Sequence, residues 1–246
     1  MTHRFFVPNL PNRVDNLAEP VEIAGTEAHH LLNVLRLRPG DSIEVFDGQG
    51  TVASAELVHC GRNDASARLR ECHVVPPSTP SVVLATALPK GDRVRWLIEK
   101  VTEVGVDRVL PLNTSRAVVD PLYSKLAKLR LTAIAAAKQC GRVTLPVIEQ
   151  PLDWESLLQQ ECRPERRILL ANREGTRLPD LLAERPTDES REILIIVGPE
   201  GGLSEDEVAA IVAREGVCIN LGDLILRIET AGVLLAGVLC AARAPQ

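Results

Sequence analysis

At 246 residues the chain is long enough for one or two domains, and 45% hydrophobic with 25% charged residues is an ordinary globular composition. A net charge of −5 disfavours indiscriminate nucleic-acid binding, and two Trp, one Tyr and three Phe are too few for a stacking platform on single strands. No apolar run approaches the roughly 18 residues of a membrane span, and the opening MTHRFFVPNLPNR lacks a basic-then-apolar leader pattern, so the cytoplasm is the expected location.

Residues 1–74 read as a small β-rich domain. RFFV (Arg4–Val7) is a short apolar strand closed by Pro8, and Glu27–Leu37 carries Leu31, Leu32 and Leu35 at helical spacing. After a turn at Pro39-Gly40-Asp41, the segment SIEVFDGQGTVASAELVHC alternates on both sides of Asp47-Gly48, a hairpin signal. ASARLRECHVV (Ala65–Val75) adds a further strand, and PPSTP (Pro76–Pro80) reads as a linker.

The six cysteines, Cys60, Cys72, Cys140, Cys162, Cys218 and Cys240, are scattered with no C-x-x-C pair, which indicates neither a disulfide framework nor a zinc ribbon. His59-Cys60 and Cys72-His73 are not expected to hold a metal, because neighbouring side chains on a strand point to opposite faces.

Residues 75–246 change character. Ser81–Pro89 is a strand, and Arg93–Gly105 a helix with Val94, Leu97, Ile98, Val101 and Val104 on one side, stopped by Gly105. VDRVLPL is a strand, Leu122–Cys140 a long helix, Thr144–Glu149 a strand, Asp153–Gln160 a short helix and Arg166–Asn172 a strand. EILIIVG, EDEVAAIVARE, VCINL and TAGVLLAGVLCAAR then follow as strand, helix, strand and helix. This alternation predicts an α/β fold with a mostly parallel sheet covered on both faces.

Two segments carry chemistry. In GPEGGLSEDE (Gly198–Glu207), Ser204 with Glu207 three residues on forms a capping box that fixes a helix start. The glycines before it admit a ligand to the main chain. Neither G-x-x-x-x-G-K-[ST] nor G-x-G-x-x-G after a strand is present, which disfavours a nucleotide triphosphatase or a standard dinucleotide enzyme. In LGDLILRIETAGVL, Arg227 and Glu229 interrupt an apolar stretch and Thr230 is placed to cap the last helix. As surface residues Arg227 and Glu229 are an ion pair worth about 0–1 kcal/mol; in a pocket they must be paired or used.

GPEGGLSEDE followed by LGDLILRIETA resembles the SPOUT class of methyltransferases, and more narrowly the RsmE family, which methylates N3 of a uridine in 16S (small-subunit) ribosomal RNA. The narrower resemblance also rests on RFFV, His29–Asp41, Ala87–Leu112, Ser115–Val119 and Ala136–Arg142. It implies a PUA-like β-barrel over 1–74, a trefoil-knotted α/β domain over 75–246, S-adenosylmethionine as cofactor, and a homodimer. The rivals within reach are another SPOUT-class RNA methyltransferase, acting on a ribose hydroxyl or another base, and an RNA-binding assembly factor without catalysis.

On that resemblance, the cofactor cradle is expected from Leu170 and Ala171, from Gly198, Pro199, Glu200, Gly201 and Gly202, and from Leu221, Gly222, Ile225, Leu226 and Arg227 with Thr230 and Ala231. Arg227 is the first candidate to stabilise charge on the uracil oxygens, Arg142 the second, and Glu229 is either a base or a partner that orients an arginine. Arg4, Arg13, Arg36, Arg38, Lys90, Arg93 and Arg95 are candidates for phosphate contacts. Two departures from the family pattern stand out: Lys138 where an acidic residue is common, and Asp223-Leu224 where Pro-Arg is common. The second removes a cation near the knot and adds a negative charge.

Overall fold

The computed structural model describes residues 2–11, 19–113, 126–183 and 192–243. Arg13, Ser115–Val119 and the first residues of the long helix expected from Leu122 lie outside them. The chain forms two compact units: one runs to Pro77 and includes Ala137–Leu145, and the other holds Ser78–Ala136 and the chain from Pro146 onward. A boundary drawn once along the sequence does not contain that return of residues 137–145 to the first unit.

In the first unit, β1 (His3–Phe6), β2 (Val21–Ile23), β3 (Ser42–Phe46), β4 (Thr51–Cys60) and β5 (Ala65–Val74) make a five-stranded sheet in the order β1-β3-β4-β5-β2. Alternate residues point inward, so Phe5, Ile43, Val45, Ala53, Ala55, Leu57, Ala67 and Leu69 build one core. The short helix α1 (Gly25–His29) continues as one π-helical turn (His30–Val34) and lays Ala28 and Leu31 on that core, with Leu32 and Leu35 at its edge. The β3–β4 hairpin turns where Asp47-Gly48 predicts it. Asp47 closes the turn by accepting from the backbone N–H of Gln49 and Thr51 at 2.7 and 3.0 Å.

The second unit is built on a parallel sheet of order β12-β10-β11-β6-β7-β8, from β6 (Ser81–Thr86), β7 (Arg108–Asn113), β8 (Val147–Ile148), β10 (Arg166–Arg177), β11 (Glu192–Val197) and β12 (Val217–Asn220). The two-residue β9 (Leu152–Asp153) also pairs with β7. One face packs Val83, Ala85, Leu110, Leu170, Leu194 and Ile196 against Leu157 of α4 (Trp154–Gln160) and Ile211 of α6 (Glu205–Val212). The other carries α2 (Asp92–Val104) and α7 (Ile228–Ala241), which pack together. In α2, Leu97, Ile98 and Val101 are the buried stripe that the spacing predicts, each contributing roughly 1.5–3 kcal/mol. Gly105 ends the helix at φ 101°, a conformation that favours glycine. α3 (Leu126–Cys140) and α5 (Leu178–Ala183) complete the helices among the described residues, α5 being one that the sequence pattern did not indicate.

Strand β12 pairs with β10 at the sheet edge, yet α7 packs on β11 and β6, two and three strands inward. The connection of residues 221–227 therefore runs back past the ends of β10 and β11. Ser204 caps α6 as predicted: its hydroxyl accepts from Glu207 N at 3.2 Å while Ser204 N donates to the Glu207 carboxylate at 2.7 Å. Ser204→Ala is expected to cost about 1 kcal/mol, seen as a melting point about 2–4 °C lower. Thr230, in contrast, is not a cap: α7 begins earlier, with Arg227 in extended backbone as its N-cap.

Candidate cofactor pocket

At the carboxyl ends of β11 and β12, and beyond the first half of β10, lies a cavity of 440 Å³, within the range of about 300–1,000 Å³ usual for small-molecule sites. Its position follows the rule that parallel α/β sheets bind ligands beyond the carboxyl ends of their strands. One wall is Val197–Leu203, leading from β11 into the capped helix α6; a second is the chain from Ile219 to Leu226 beyond β12. Ile228 and Ala231, one helical turn apart on α7, close the cavity.

The third wall was not visible in the sequence. Strand β10 does not stop at Asn172: Ala171 and Thr176 both pair with Ile219, so residues 172–175 bulge out of the ladder and the strand resumes behind them. Asn172, Arg173 and Glu174 of this bulge line the cavity. The Asn172 side chain accepts from Glu174 N at 3.0 Å, which shapes the loop. Gly175 then passes so close to β12 that a Cβ would sit 2.2 Å from the Cys218 carbonyl carbon. Asn172 and Gly175, both turn-prone residues at the end of an apolar run, were the available signal.

Two walls are tied together by Asn220. Its amide nitrogen donates to the Arg173 carbonyl at 2.7 Å, and its amide oxygen accepts from Gly222 N at 2.7 Å. The Arg173 guanidinium donates to the Asp223 carbonyl at 3.2 Å. A cation thus stands beside Asp223-Leu224, supplied by the bulge rather than by the loop. Gly202 at φ 71° and Gly222 at φ 124° hold conformations that favour glycine on the two facing walls, and the Gly202 N–H closes a turn on the Pro199 carbonyl at 2.8 Å.

Of the residues expected in the cradle, Ala171, Gly198, Pro199, Glu200, Gly201, Gly202, Leu221, Gly222, Ile225, Leu226 and Ala231 line this cavity. Three do not. Leu170 is fully buried in the core beneath it, Arg227 is exposed at the start of α7, and Thr230 is exposed on that helix.

Glu229 is 5% exposed and absent from the lining; one residue along from Ile228, it turns to α2, where its Oε1 lies 3.6 Å from Arg93 Nη1. The geometry thus fits its orienting role better than a base meeting substrate. Arg93, expected to contact phosphate, instead spans Glu229 and Glu200, the latter at 3.5 Å. Lys90 and Arg95 are exposed.

In the first unit, Arg36 and Arg38 are exposed, but Arg4 is turned inward. Its guanidinium pairs with Glu44, directly opposite in the β1–β3 ladder, donates to the Ala137 carbonyl at 3.1 Å and lies 4.9 Å from the Phe46 ring centre. Such a group is committed to packing and is not offered to phosphate. Lys138 pairs with Glu27 at 2.8 Å over the Phe5 ring, so this departure from the family pattern is matched by a local carboxylate. Burial first, then the Lys138 charge, keep the His30 imidazole below its ordinary pKa. Arg142 belongs to this unit and donates from Nε to the Thr144 hydroxyl at 3.2 Å.

An RNA methyltransferase domain family matches residues 76–240, and an RNA methyltransferase PUA domain family matches residues 23–70. Ribosomal RNA small subunit methyltransferase E of Mycobacterium bovis is 32% identical over 95% of this chain and 89% of its own length. The protein of that name from Bacillus subtilis is 32% identical over 93% and 92%. Among solved structures, ribosomal RNA small subunit methyltransferase E from Neisseria gonorrhoeae bound to S-adenosyl methionine superposes with a TM-score of 0.85 at 26% identity, covering 98% of both chains. A putative methyltransferase from Legionella pneumophila in complex with the cofactor superposes with a TM-score of 0.83 at 26% identity, again over 98% of both. With its PUA-like unit, its parallel-sheet SPOUT domain and these relatives matched over nearly all of its length, the chain belongs to the ribosomal RNA small subunit methyltransferase E family of RNA methyltransferases.

Proposed function

We propose that this protein transfers the methyl group of S-adenosylmethionine to N3 of a specific uridine in 16S ribosomal RNA, acting as a homodimer in the cytoplasm on the small ribosomal subunit. The observation that carries the reading is the cavity at the ends of β11 and β12 and the bulge of β10, walled on three sides by the glycine turn after β11, the chain beyond β12 and that bulge. Such walls suit an adenosyl group, whose ring edge bonds to backbone N–H and C=O groups, while Leu203, Leu226 and Ile228 offer apolar surface to its faces. Bound there, S-adenosylmethionine supplies an electrophilic methyl group on a sulfonium sulfur.

The residues of the chain hold and orient the reaction partners. N3 of uracil attacks only once its proton has left, and the negative charge then spreads onto the ring oxygens, where a cation stabilises it. Arg227, exposed beside the cavity wall, is the residue in that role. Arg36, Arg38, Lys90 and Arg95 are exposed and suit phosphate contacts; Arg4 and Arg93 are engaged elsewhere. Self-association is supported by exposed apolar side chains: Leu224 and Ile225 at the cavity rim, Trp96 on α2 and Leu234 on α7.

Asn220 links two cavity walls, so Asn220→Asp is expected to weaken S-adenosylmethionine binding about two- to tenfold, the loss of one hydrogen bond, as read by calorimetry. Incubating the protein with small ribosomal subunits and labelled S-adenosylmethionine, then mapping the RNA by mass, tests the activity. Label on uracil N3 supports the reading; label on a ribose hydroxyl or another base, or none, contradicts it.

A further inference from the structure

Arg93 occupies a costly place. It sits in the first turn of α2, where the positive end of the helix dipole disfavours a cation. Its side chain is 39% exposed, yet the guanidinium is turned to two carboxylates, reaching Glu229 at 3.6 Å through one terminal nitrogen and Glu200 at 3.5 Å through the other. The two partners differ. Glu229 is only 5% exposed, at the start of α7, and its second oxygen has no hydrogen-bond partner among the described residues. Glu200 is solvent-facing and belongs to the glycine turn that lines the cavity. Glu229 lies in the first turn of α7, whose dipole favours a negative charge, and Arg93 is the side-chain cation that the structure places beside it.

We propose that Arg93 is a positioning residue of the cofactor pocket, clamping the glycine turn, through Glu200, to the buried Glu229 at the base of α7. The two cavity walls it reaches come from different parts of the chain. Glu200 follows β11, whereas Glu229 lies between Ile228 and Ala231, both of which face the cavity. Arg93 does not line the cavity and acts through these two carboxylates. Its effect is to fix the separation of the turn at Pro199–Gly202 from α7. That separation sets the width of the adenosyl slot, so a cation drawn to two acidic groups tunes affinity for the methyl donor. The inference rests on the proposed binding of S-adenosylmethionine in this cavity.

The test is a double-substitution cycle on the full chain, with calorimetric affinity for S-adenosylmethionine and amide hydrogen exchange at Gly198–Gly202 without ligand. Arg93→Ala is expected to weaken affinity about tenfold and to speed exchange in the glycine turn, while Arg93→Lys, which keeps the charge, recovers part of both. If the clamp acts as a unit, Arg93→Ala has less than a twofold further effect in a Glu229→Gln background. Should Arg93→Ala not fold, Arg93→Lys and Glu200→Gln take its place, each expected to speed exchange at the turn. Full additivity of Arg93→Ala with Glu229→Gln, or unchanged affinity and exchange in the variants, overturns the proposal while leaving the pocket assignment standing. Wild-type protein that does not bind S-adenosylmethionine overturns the pocket assignment and this proposal with it.

Discussion

Gly175→Ala is expected to abolish measurable S-adenosylmethionine binding and to lower stability by about 1–3 kcal/mol, the usual cost of overpacking. An alanine Cβ at this position would lie 2.2 Å from the carbonyl carbon of Cys218, 2.3 Å from its oxygen and 2.5 Å from Ile219 N. These are backbone atoms of a paired strand and have no rotamer to escape to. Relief requires β12 to move away from the second half of β10, which breaks the pairing of Thr176 with Ile219 and of Arg177 with Asn220. That movement also pulls Asn220 off the Arg173 carbonyl, so two cavity walls separate together. Gly237→Ala is the control. A Cβ there meets Val104 at an ordinary 3.6 Å within a helix, so stability should hold or rise by about 0.5–1 kcal/mol. Thermal melting with calorimetric titration separates the two: equal affinity in both variants would mean that the bulge does not shape the pocket.

Arg108→Ala is expected to destabilise the second unit by about 3 kcal/mol near neutral pH. Arg108 opens β7 and donates to Glu149 at 2.8 and 3.0 Å, to Glu161 at 3.3 and 3.4 Å and to Glu192 at 3.5 Å. Arg166 also engages Glu161 and Glu192, so two guanidinium groups serve three carboxylates at the amino ends of the strands, away from the cavity. Glu161 is 7% exposed. Burial alone would push its carboxyl up, but the hydrogen bond and charge of Arg166, then those of Arg108, outweigh it and hold the group below its ordinary range. A carboxyl depressed on folding stabilises the folded state above its unfolded pKa, and that contribution is lost as pH falls through the folded value. Removing Arg108 raises the folded value, so acid unfolding should begin at higher pH in the variant. The stability gap should be widest near pH 7 and should shrink as the carboxylates protonate. Urea unfolding at a series of pH values checks this; a gap independent of pH would show that Arg108 acts through packing rather than charge.

Local signals in the sequence carried the helix α2, the capped start of α6 and the two glycine-bearing walls, because each is specified within a dozen residues by spacing, capping or turn chemistry. What it hid depends on partners far along the chain. The bulge at residues 172–175 looks like the end of a strand until β12 is laid beside it. Arg4 reads as a free cation until the parallel pairing of β1 with β3 puts Glu44 opposite it. Arg93 likewise gives no sign that its partners are Glu200 and Glu229, which follow it by more than a hundred positions. Thr230 failed as a cap for a different reason: Arg227 supplies an extended backbone cap without any side-chain bond, which composition does not announce. Polar residues with local partners, such as Ser204 and Glu207, were therefore legible as geometry, and those with distant partners were not.

The most direct measurement is a crystal structure of the protein soaked with S-adenosylmethionine. The donor is expected at the carboxyl ends of β11 and β12 beside the bulge of β10, its adenine edge bonded to the main chain of Gly198–Gly202 and Leu221–Leu226. Donor density at any other place, with that cavity holding only solvent, would contradict it.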